Sequence, residues 1–140
     1  MGTVNILEAI RTSRSTKVGV LITTDKVYKN TEKETGYSES DELGGYDPYS
    51  SSKAAAELAI ESWRLSFMNP IDFDSHGKSI SSARSGNVIG GGDWSKNRLI
   101  PDYIRALRKK EVLSLRNPES IRPWQHVLDP LYGYLLLGMR

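Results

Sequence analysis

The chain has 140 residues, of which 38% are apolar and 26% are charged, and this is the size and composition of one globular domain. The net charge is only +2 and the basic residues are dispersed, which argues against a nucleic-acid partner. The chain has no cysteine, which excludes disulfides and thiolate chemistry, and its two histidines are too far apart for a histidine metal site. No stretch is apolar enough to span a membrane and no signal peptide is visible, so we expect a cytoplasmic protein without a metal or a membrane partner.

The first part of the chain alternates between helical and extended patterns. Four apolar residues near the N-terminus recur at helical spacing and predict a first helix: Val4, Ile6, Leu7 and Ile10. The continuous apolar, β-branched run Val18–Ile22 predicts a strand near Lys17 to Thr23 that is buried on both faces. The polar, glycine-containing stretch Lys29–Gly45 predicts a loop.

A capped helix is the clearest element of the sequence. Asp47 is suited to the N-cap and Pro48 to the first turn, and the helix is predicted to run from Pro48 to Phe67. Its spacing predicts an apolar face made of five residues: Ala56, Ala59, Ile60, Trp63 and Phe67.

The second half of the chain repeats the alternation. Strand character near Ser79 to Ser85 is followed by the loop-forming Gly90-Gly91-Gly92. Apolar residues from Leu99 to Leu107 recur at helical spacing, and Leu128 to Met139 predicts a final helix. The short run Val112–Leu115 predicts one more strand.

This order of strands and helices predicts an α/β fold with a parallel sheet, a partial Rossmann-like doubly wound arrangement. Only a few good strands are visible, whereas a complete doubly wound sheet has roughly five or more. The G-x-G-x-x-G fingerprint of dinucleotide binding does not occur in the 140 residues. We therefore expect the chain to be part of a larger fold.

Tyr49 and Lys53 form the first candidate for catalytic chemistry. They are four residues apart at the start of the predicted long helix, so both side chains lie on one helix face. An ammonium group beside a phenol favours the phenolate, and a tyrosine of this kind exchanges protons with an alcohol. A Y-x-x-x-K pair is also common by chance, so the pair alone decides nothing.

The second candidate is Thr23-Thr24-Asp25-Lys26, which directly follows the predicted apolar strand. Polar side chains at the carboxyl end of a parallel strand are where ligands bind in open α/β sheets. The alternative interpretation is an ordinary strand-to-loop turn, in which Asp25 bonds its own backbone.

Taken together, the two candidates have the active-site order of the extended short-chain dehydrogenases/reductases: a strand ending in Thr-Thr-Asp, a loop, and a Y-x-x-x-K helix. Longer motifs resemble the nucleotide-sugar dehydratases of that superfamily, in particular the CDP-glucose 4,6-dehydratases: Tyr46–Lys53, Arg84–Trp94 and Arg122–Val127. Asp25-Lys26 resembles the same family, since dTDP-glucose dehydratases carry Asp-Glu there. The resemblance covers nearly the whole chain.

The resemblance implies that residues 1–90 are the C-terminal part of an NAD-binding Rossmann domain. Residues 91–140 would start a substrate-binding region and return to the Rossmann domain. The Gly-rich N-terminal half and the C-terminal end of the family's fold would lie outside this chain, which is therefore expected to be a fragment that is inactive by itself. For the full-length protein the resemblance implies NAD as cofactor, CDP-glucose as substrate and a homo-oligomer.

The same resemblance implies the catalytic residues. Tyr49 takes the proton of the C4 hydroxyl while hydride passes to NAD, and Thr24 hydrogen-bonds the C4 oxygen. Asp25 protonates the departing C6 hydroxyl. Lys26 is either the base at C5 or the charge partner of Asp25, and both roles stay open. Lys53 completes the catalytic set.

Binding residues are implied in the same way. The cofactor contacts are Thr23, Tyr49, Lys53 and Ser85. The substrate contacts include Asn87 and Arg122 at the diphosphate, and the whole set is Asn87, Arg98, Leu99, Ile100, Arg116 and Arg122. The alternative interpretation of the three arginines is ordinary surface ion pairing.

Two other functions remain open at this stage. One is a related activity on the same scaffold, either a dTDP- or GDP-sugar dehydratase or an NAD-dependent 4-epimerase. Epimerases generally lack the acid–base pair after Thr24, so Asp25-Lys26 favours dehydration. The other is a non-catalytic truncated product that folds but binds no NAD.

Overall fold

A computed structural model describes residues 1–139 of the chain. Its main sheet is formed by β1 (Val18–Ile22) and β2 (Ser79–Ala83), which pair in parallel with Val18 opposite Ser79 and Ile22 opposite Ala83. Both strands begin and end within two residues of the predicted positions, and their parallel direction confirms the predicted α/β class.

Five α-helices are formed within the described residues. They are α1 (Gly2–Thr12), α2 (Pro48–Phe67), α3 (Phe73–His76), α4 (Leu99–Lys109) and α5 (Leu128–Met139). The predicted helices at both ends of the chain, the long central helix and the helix beginning at Leu99 are confirmed. The one-turn helix α3 was not predicted, because four residues are too few to show helical periodicity.

The start of α2 follows from its capping residues. The carboxylate of Asp47 accepts hydrogen bonds from the backbone N–H groups of Tyr49 (2.9 Å) and Ser50 (3.1 Å), which have no partner inside the helix. Pro48 stands at the first helical position, where the missing N–H has no cost. The cap thereby determines where the helix begins and where Tyr49 lies in its first turn.

A second pair of strands, β3 (Asn87–Ile89) and β4 (Trp124–His126), is also parallel, with Asn87 opposite Trp124. Neither was predicted as a separate strand, because three residues carry no period-two signal. Gly86 allows their approach: a Cβ atom there would lie 2.9 Å from the carbonyl oxygen of Pro123.

The apolar core lies between α1, α2 and β2. Its buried members are Leu7, Ile10, Ile60, Met68 and Ile80. On the opposite side of the sheet α5 packs near β1, where the backbone of Gly138 approaches the side chains of Val18 and Val20. The main sheet is thus covered by helices on both faces.

Three sequence expectations about burial and extent are wrong. The ends of β1 are not buried on both faces, since Val18 is 45% and Ile22 is 43% exposed. Phe67, in the last turn of α2, is half exposed, although its ring contacts Trp63 and the guanidinium group of Arg11. Val112–Leu115 is not a strand: no neighbouring segment within residues 1–139 pairs with it, and Val112 is almost fully exposed.

Among residues 1–139, none of the helices has the length and apolar composition that crossing a bilayer requires.

The core position of Ile60 yields a stability prediction. Ile60→Ala should lower the free energy of unfolding by about 2–5 kcal/mol, because it leaves a cavity among Leu7, Met68 and Ile80. The matched control is Ile71→Ala, at a position that is 90% exposed, which should change it by less than about 0.5 kcal/mol. Urea unfolding measures both, and equal effects of the two substitutions would contradict the assigned core.

Candidate active site

The segment that follows β1 and the segment that follows β2 are held side by side. Backbone hydrogen bonds continue past the ends of β1 and β2, from Thr23 N–H to the carbonyl of Ala83 (2.9 Å) and from Asp25 N–H to the carbonyl of Ser85 (3.0 Å). Thr24 therefore lies beside Ser85 at the carboxyl edge of the sheet. Thr23 and Thr24 are both buried.

The first turn of α2 brings Tyr49 to this edge. Gly45 packs so closely against the helix start that a Cβ atom would overlap the backbone of Ser50 and Ser51, so only glycine fits there. The hydroxyl of Ser51 donates to the Gly45 carbonyl (2.8 Å), which ties the preceding loop to the helix. Hydrogen bonds from Ser50 and Tyr49 lower the pKa of Asp47, which keeps the cap ionised. Tyr49 itself is half exposed and free to meet a ligand.

A chain of polar contacts joins the segment after β1 to the segment after β2. The hydroxyl of Thr24 donates to Asp25 Oδ1 at 3.1 Å. The ammonium group of Lys26 donates to the same carboxylate oxygen and to Asn87 Oδ1, each at 3.1 Å. Lys26 thus bridges the proposed acid Asp25 and the proposed diphosphate ligand Asn87.

A cleft of about 1080 Å³ lies at this edge, between the sheet, α2, β3 and α4. Most of the residues selected from the sequence line it: Thr23, Thr24, Lys26, Tyr49, Ser85, Asn87, Arg98, Leu99, Ile100, Arg116 and Arg122. Two do not. Asp25 lines the neighbouring cavity, although its carboxylate contacts the hydroxyl of Thr24, and the half-buried Lys53 lies one turn along α2 from Tyr49.

The cleft has a positive wall. Arg98, Arg116 and Arg122 all line it. Within residues 1–139, none of the three guanidinium groups is in an ion pair with a carboxylate. This arrangement favours an anionic ligand, because unpaired guanidinium groups bind diphosphates through paired N–H donors.

The sequence analysis missed a buried ion pair next to the cleft. Glu57, on α2, is 5% exposed, and its carboxylate accepts hydrogen bonds from the Thr23 hydroxyl, from Ser82 Oγ (2.7 Å) and from Arg84 Nη2 (3.0 Å). The signal available in the sequence was a charged residue, Glu57, within the apolar stripe of α2. Its partners come from two other elements, and their proximity is visible only in the tertiary structure.

The pKa values of this pair show which influence prevails. Burial opposes ionisation of Glu57 and is the largest single influence, but the hydrogen bonds from Arg84, Thr23 and Ser82 together outweigh it and lower the pKa. The hydrogen bond with Glu57 is in turn the main cause that raises the pKa of Arg84. Both groups are therefore charged in the folded protein near neutral pH.

Between residues 1 and 139 there is no group of three or more histidine, cysteine, aspartate or glutamate side chains able to hold an ion. The cleft combines hydroxyl, phenol, amide and guanidinium groups, which suit proton transfer and anion binding.

A parallel αβ unit with a polar cleft at the carboxyl ends of its strands defines a Rossmann-like protein of the nucleotide-binding type. The comparison with known families agrees. Residues 1–138 match the NAD dependent epimerase/dehydratase family, and the chain belongs to this family.

Individual relatives narrow the comparison. The chain is 51% identical over 140 residues to the CDP-glucose 4,6-dehydratase of Salmonella typhimurium. The alignment covers all of this chain, and the chain spans 39% of that relative's length. The structure is similar to a dTDP-glucose 4,6-dehydratase of Bacillus anthracis solved with NAD (TM-score 0.80, 26% identity, 99% of this chain, 42% of that chain). A UDP-glucuronic acid 4-epimerase of Bacillus cereus shares the fold (TM-score 0.79, 18% identity, 96% of this chain, 39% of that chain).

The lowered pKa of Glu57 yields a prediction for acid unfolding. Stability from a carboxyl group whose folded pKa is depressed is fully present above its unfolded pKa of about 4.3 and is lost as the pH falls through the folded pKa. The free energy of unfolding should therefore fall less steeply between about pH 5 and pH 3 in Glu57→Gln than in the parent. Urea titrations at several pH values measure the two slopes.

The control for this prediction is Glu61→Gln, which removes an exposed carboxylate from the same helix. It should keep the slope of the parent protein. A Glu57→Gln variant whose slope equals that of the parent would show that the buried carboxylate is not ionised through the ion pair.

Proposed function

We propose that these residues belong to a nucleotide-sugar 4,6-dehydratase that converts CDP-glucose to CDP-4-keto-6-deoxyglucose. The observation that carries the proposal is the cleft, in which Thr24 and Tyr49 meet the diphosphate-binding candidates, with Asp25-Lys26 directly after Thr24. The relative that is 51% identical supports CDP as the nucleotide. Because the chain spans 39% of that relative's length, the activity is proposed for the full-length protein.

The first step is oxidation at C4 of the sugar. Tyr49, half exposed in the cleft, takes the proton of the C4 hydroxyl, and Thr24 holds the C4 oxygen. NAD, when bound, supplies the chemistry of accepting hydride from C4 and later returning it to C6. A keto group at C4 then acidifies the neighbouring C5 proton.

The second step is the loss of water across C5 and C6. Asp25 gives the proton to the departing C6 hydroxyl. The C5 proton passes to the neutral amine of Lys26, which contacts both Asp25 and Asn87 as a donor. A neutral amine keeps two N–H groups, so Lys26 can make both contacts and still accept this proton through its lone pair. The alternative role, an ammonium partner of Asp25, leaves the C5 proton without an acceptor among these residues.

The substrate's diphosphate would be held by the positive wall of the cleft. Arg98, Arg116 and Arg122 provide the charge, and Asn87 keeps its amide N–H donors free because its Oδ1 accepts from Lys26. Leu99 and Ile100 border the sugar nucleotide with apolar surface.

The residues present fit the nicotinamide end of NAD. Tyr49 and Ser85 line the cleft, and Lys53 follows Tyr49 by one turn on the same face of α2, where it would contact the ribose. The hydroxyl of Thr23 is engaged by Glu57, so Thr23 would contact the cofactor through its backbone or its methyl group.

The remaining features of the proposal concern the whole protein. Residues 1–90 belong to the cofactor-binding domain, and residues 91–140 begin the substrate-binding region and return to the cofactor domain. We place the protein in the cytoplasm as a homo-oligomer that supplies a deoxysugar for lipopolysaccharide O-antigen. The exposed Leu58 and Leu65 on α2 support self-association, since apolar helix residues of this kind are commonly covered by a partner.

Other functions are less well supported. A dTDP- or GDP-sugar dehydratase or a 4-epimerase shares the fold, but Asp25-Lys26 favours dehydration, and the similarity to the epimerase concerns the fold alone. A non-catalytic truncated product would need no preserved cleft, whereas Thr24, Tyr49 and the three arginines line one.

The role of Tyr49 is testable in the full-length protein. Tyr49→Phe should lower the rate of 4-keto product formation by about 10²–10⁴-fold, the usual contribution of a positioned acid–base group. The matched control is Tyr46→Phe, three residues earlier and fully exposed, which should keep the parent rate. Product is measured by its absorbance in alkali. A Tyr49→Phe variant that works at the parent rate would remove Tyr49 from the mechanism.

Two substitutions distinguish the two possible roles of Lys26, as the base at C5 and as the charge partner of Asp25. Lys26→Arg keeps a cation beside Asp25 but provides no base, so turnover should fall by about 10²-fold or more, as it should in Lys26→Met. Deuterium uptake from solvent at C5 follows the elimination step directly. Retained exchange and turnover in Lys26→Arg would show that Lys26 acts through its charge and not as the C5 base.

A further inference from the structure

Glu57 occupies a position from which it contacts three elements at once. Its carboxylate lies on α2 and accepts from Thr23 at the end of β1, from Ser82 in β2 and from Arg84 just after β2. Both partners of the ion pair are largely withdrawn from solvent, with side-chain exposures of 16% for Arg84 and 4% for Glu57.

The contact with Thr23 determines the orientation of Thr24. Thr24 has extended backbone angles (φ −156°, ψ 156°), and successive side chains of an extended segment point to opposite faces. When the hydroxyl of Thr23 is held by Glu57, the side chain of Thr24 turns towards Asp25 and the cleft.

Glu57 lies on the same face of α2 as Tyr49 and Lys53. The three residues are spaced by four along the helix, so they lie on one face, and Glu57 is about one turn, or ~6 Å, beyond Lys53. Three hydrogen bonds to Glu57 therefore fix the rotation and the axial position of α2 relative to the sheet.

Arg84 connects the buried ion pair to the loop between β1 and α2. Its guanidinium group lies 5.0 Å from the ring centre of Tyr28 and donates to the carbonyl of Glu39. Tyr28 stacks on Tyr37 at 5.0 Å. This loop leads directly into the cap of α2.

Stability alone does not require a carboxylate at this place. Burying an ion pair has a desolvation cost that often equals its attraction, and well-packed apolar side chains can replace such pairs without loss of stability. What apolar residues cannot supply is a directional set of three hydrogen bonds between particular elements.

We infer that Glu57 is a positioning residue for the reaction, whose buried contacts with Thr23, Ser82 and Arg84 hold Thr24 and the Tyr49–Lys53 face of α2 in reacting geometry. This inference rests on the proposed function. It implies an effect on turnover rather than on substrate affinity, because the residues proposed for the diphosphate lie on other segments: Asn87, Arg98, Arg116 and Arg122.

The test is steady-state kinetics of the full-length protein with Glu57→Gln. We expect kcat for CDP-glucose dehydration to fall about 10–100-fold with KM changed by less than about twofold, because displacement of reacting groups by about 1 Å can cost about 10²-fold. Glu61→Gln, an exposed carboxylate on the same helix, should keep both parameters. Thermal unfolding at the assay pH checks that the variants are folded.

A gentler variant keeps the inference testable if Glu57→Gln does not fold. Ser82→Ala removes one of the three donors, and we expect it to lower kcat about threefold or more at unchanged KM, because Glu57 then keeps only two of the contacts that hold it. A raised KM at unchanged kcat, or unchanged kinetics in a folded variant, would overturn the positioning role. An inactive parent protein would instead refute the proposed function, and this inference with it.

Discussion

The parallel pairing of β1 with β2 is the constraint on which the site depends. Because Ile22 lies opposite Ala83, the segments that follow both strands leave the sheet at the same edge. Two further backbone hydrogen bonds, at Thr23 and Asp25, hold those segments together beyond the last paired residues. Shifting the register by one residue would turn Thr24 to the opposite face.

The second pair of strands builds the far wall of the cleft. β3 follows β2 after only three residues, and its pairing with β4 brings a segment from near the end of the described chain back to the site. Arg122 lies just before β4 and Asn87 begins β3, so two residues 35 positions apart line one cavity. The pairing thereby converts a row of strand ends into a cleft.

The charges of the site fall into two groups with different environments. Glu57 and Arg84 neutralise each other in the interior, where an unpaired charge would be strongly unfavourable. The arginines of the cleft wall form no ion pair among residues 1–139 and line the cleft, where a ligand can reach them. Burial thus separates the charges that hold the fold from those that suit an anionic nucleotide.

The amino-acid sequence by itself determined the helices, the two main strands and most members of the cleft. Asp47 and Pro48 are local signals for a helix start, and the apolar run Val18–Ile22 is a local signal for a strand. Motifs of six to eleven consecutive residues identified the family, because they are far longer than chance matches. Such signals depend only on neighbours in the chain.

The tertiary structure alone decided the contacts between distant segments. Val112–Leu115 has strand composition, yet a strand exists only where a partner offers hydrogen bonds, and Trp124–His126 finds one while Val112–Leu115 does not. The contacts of Glu57 also depend on distant segments. Its partners are 25 to 34 residues away, and nothing in the local pattern of α2 specifies them. Pairing and burial are properties of segments that meet only in the folded chain.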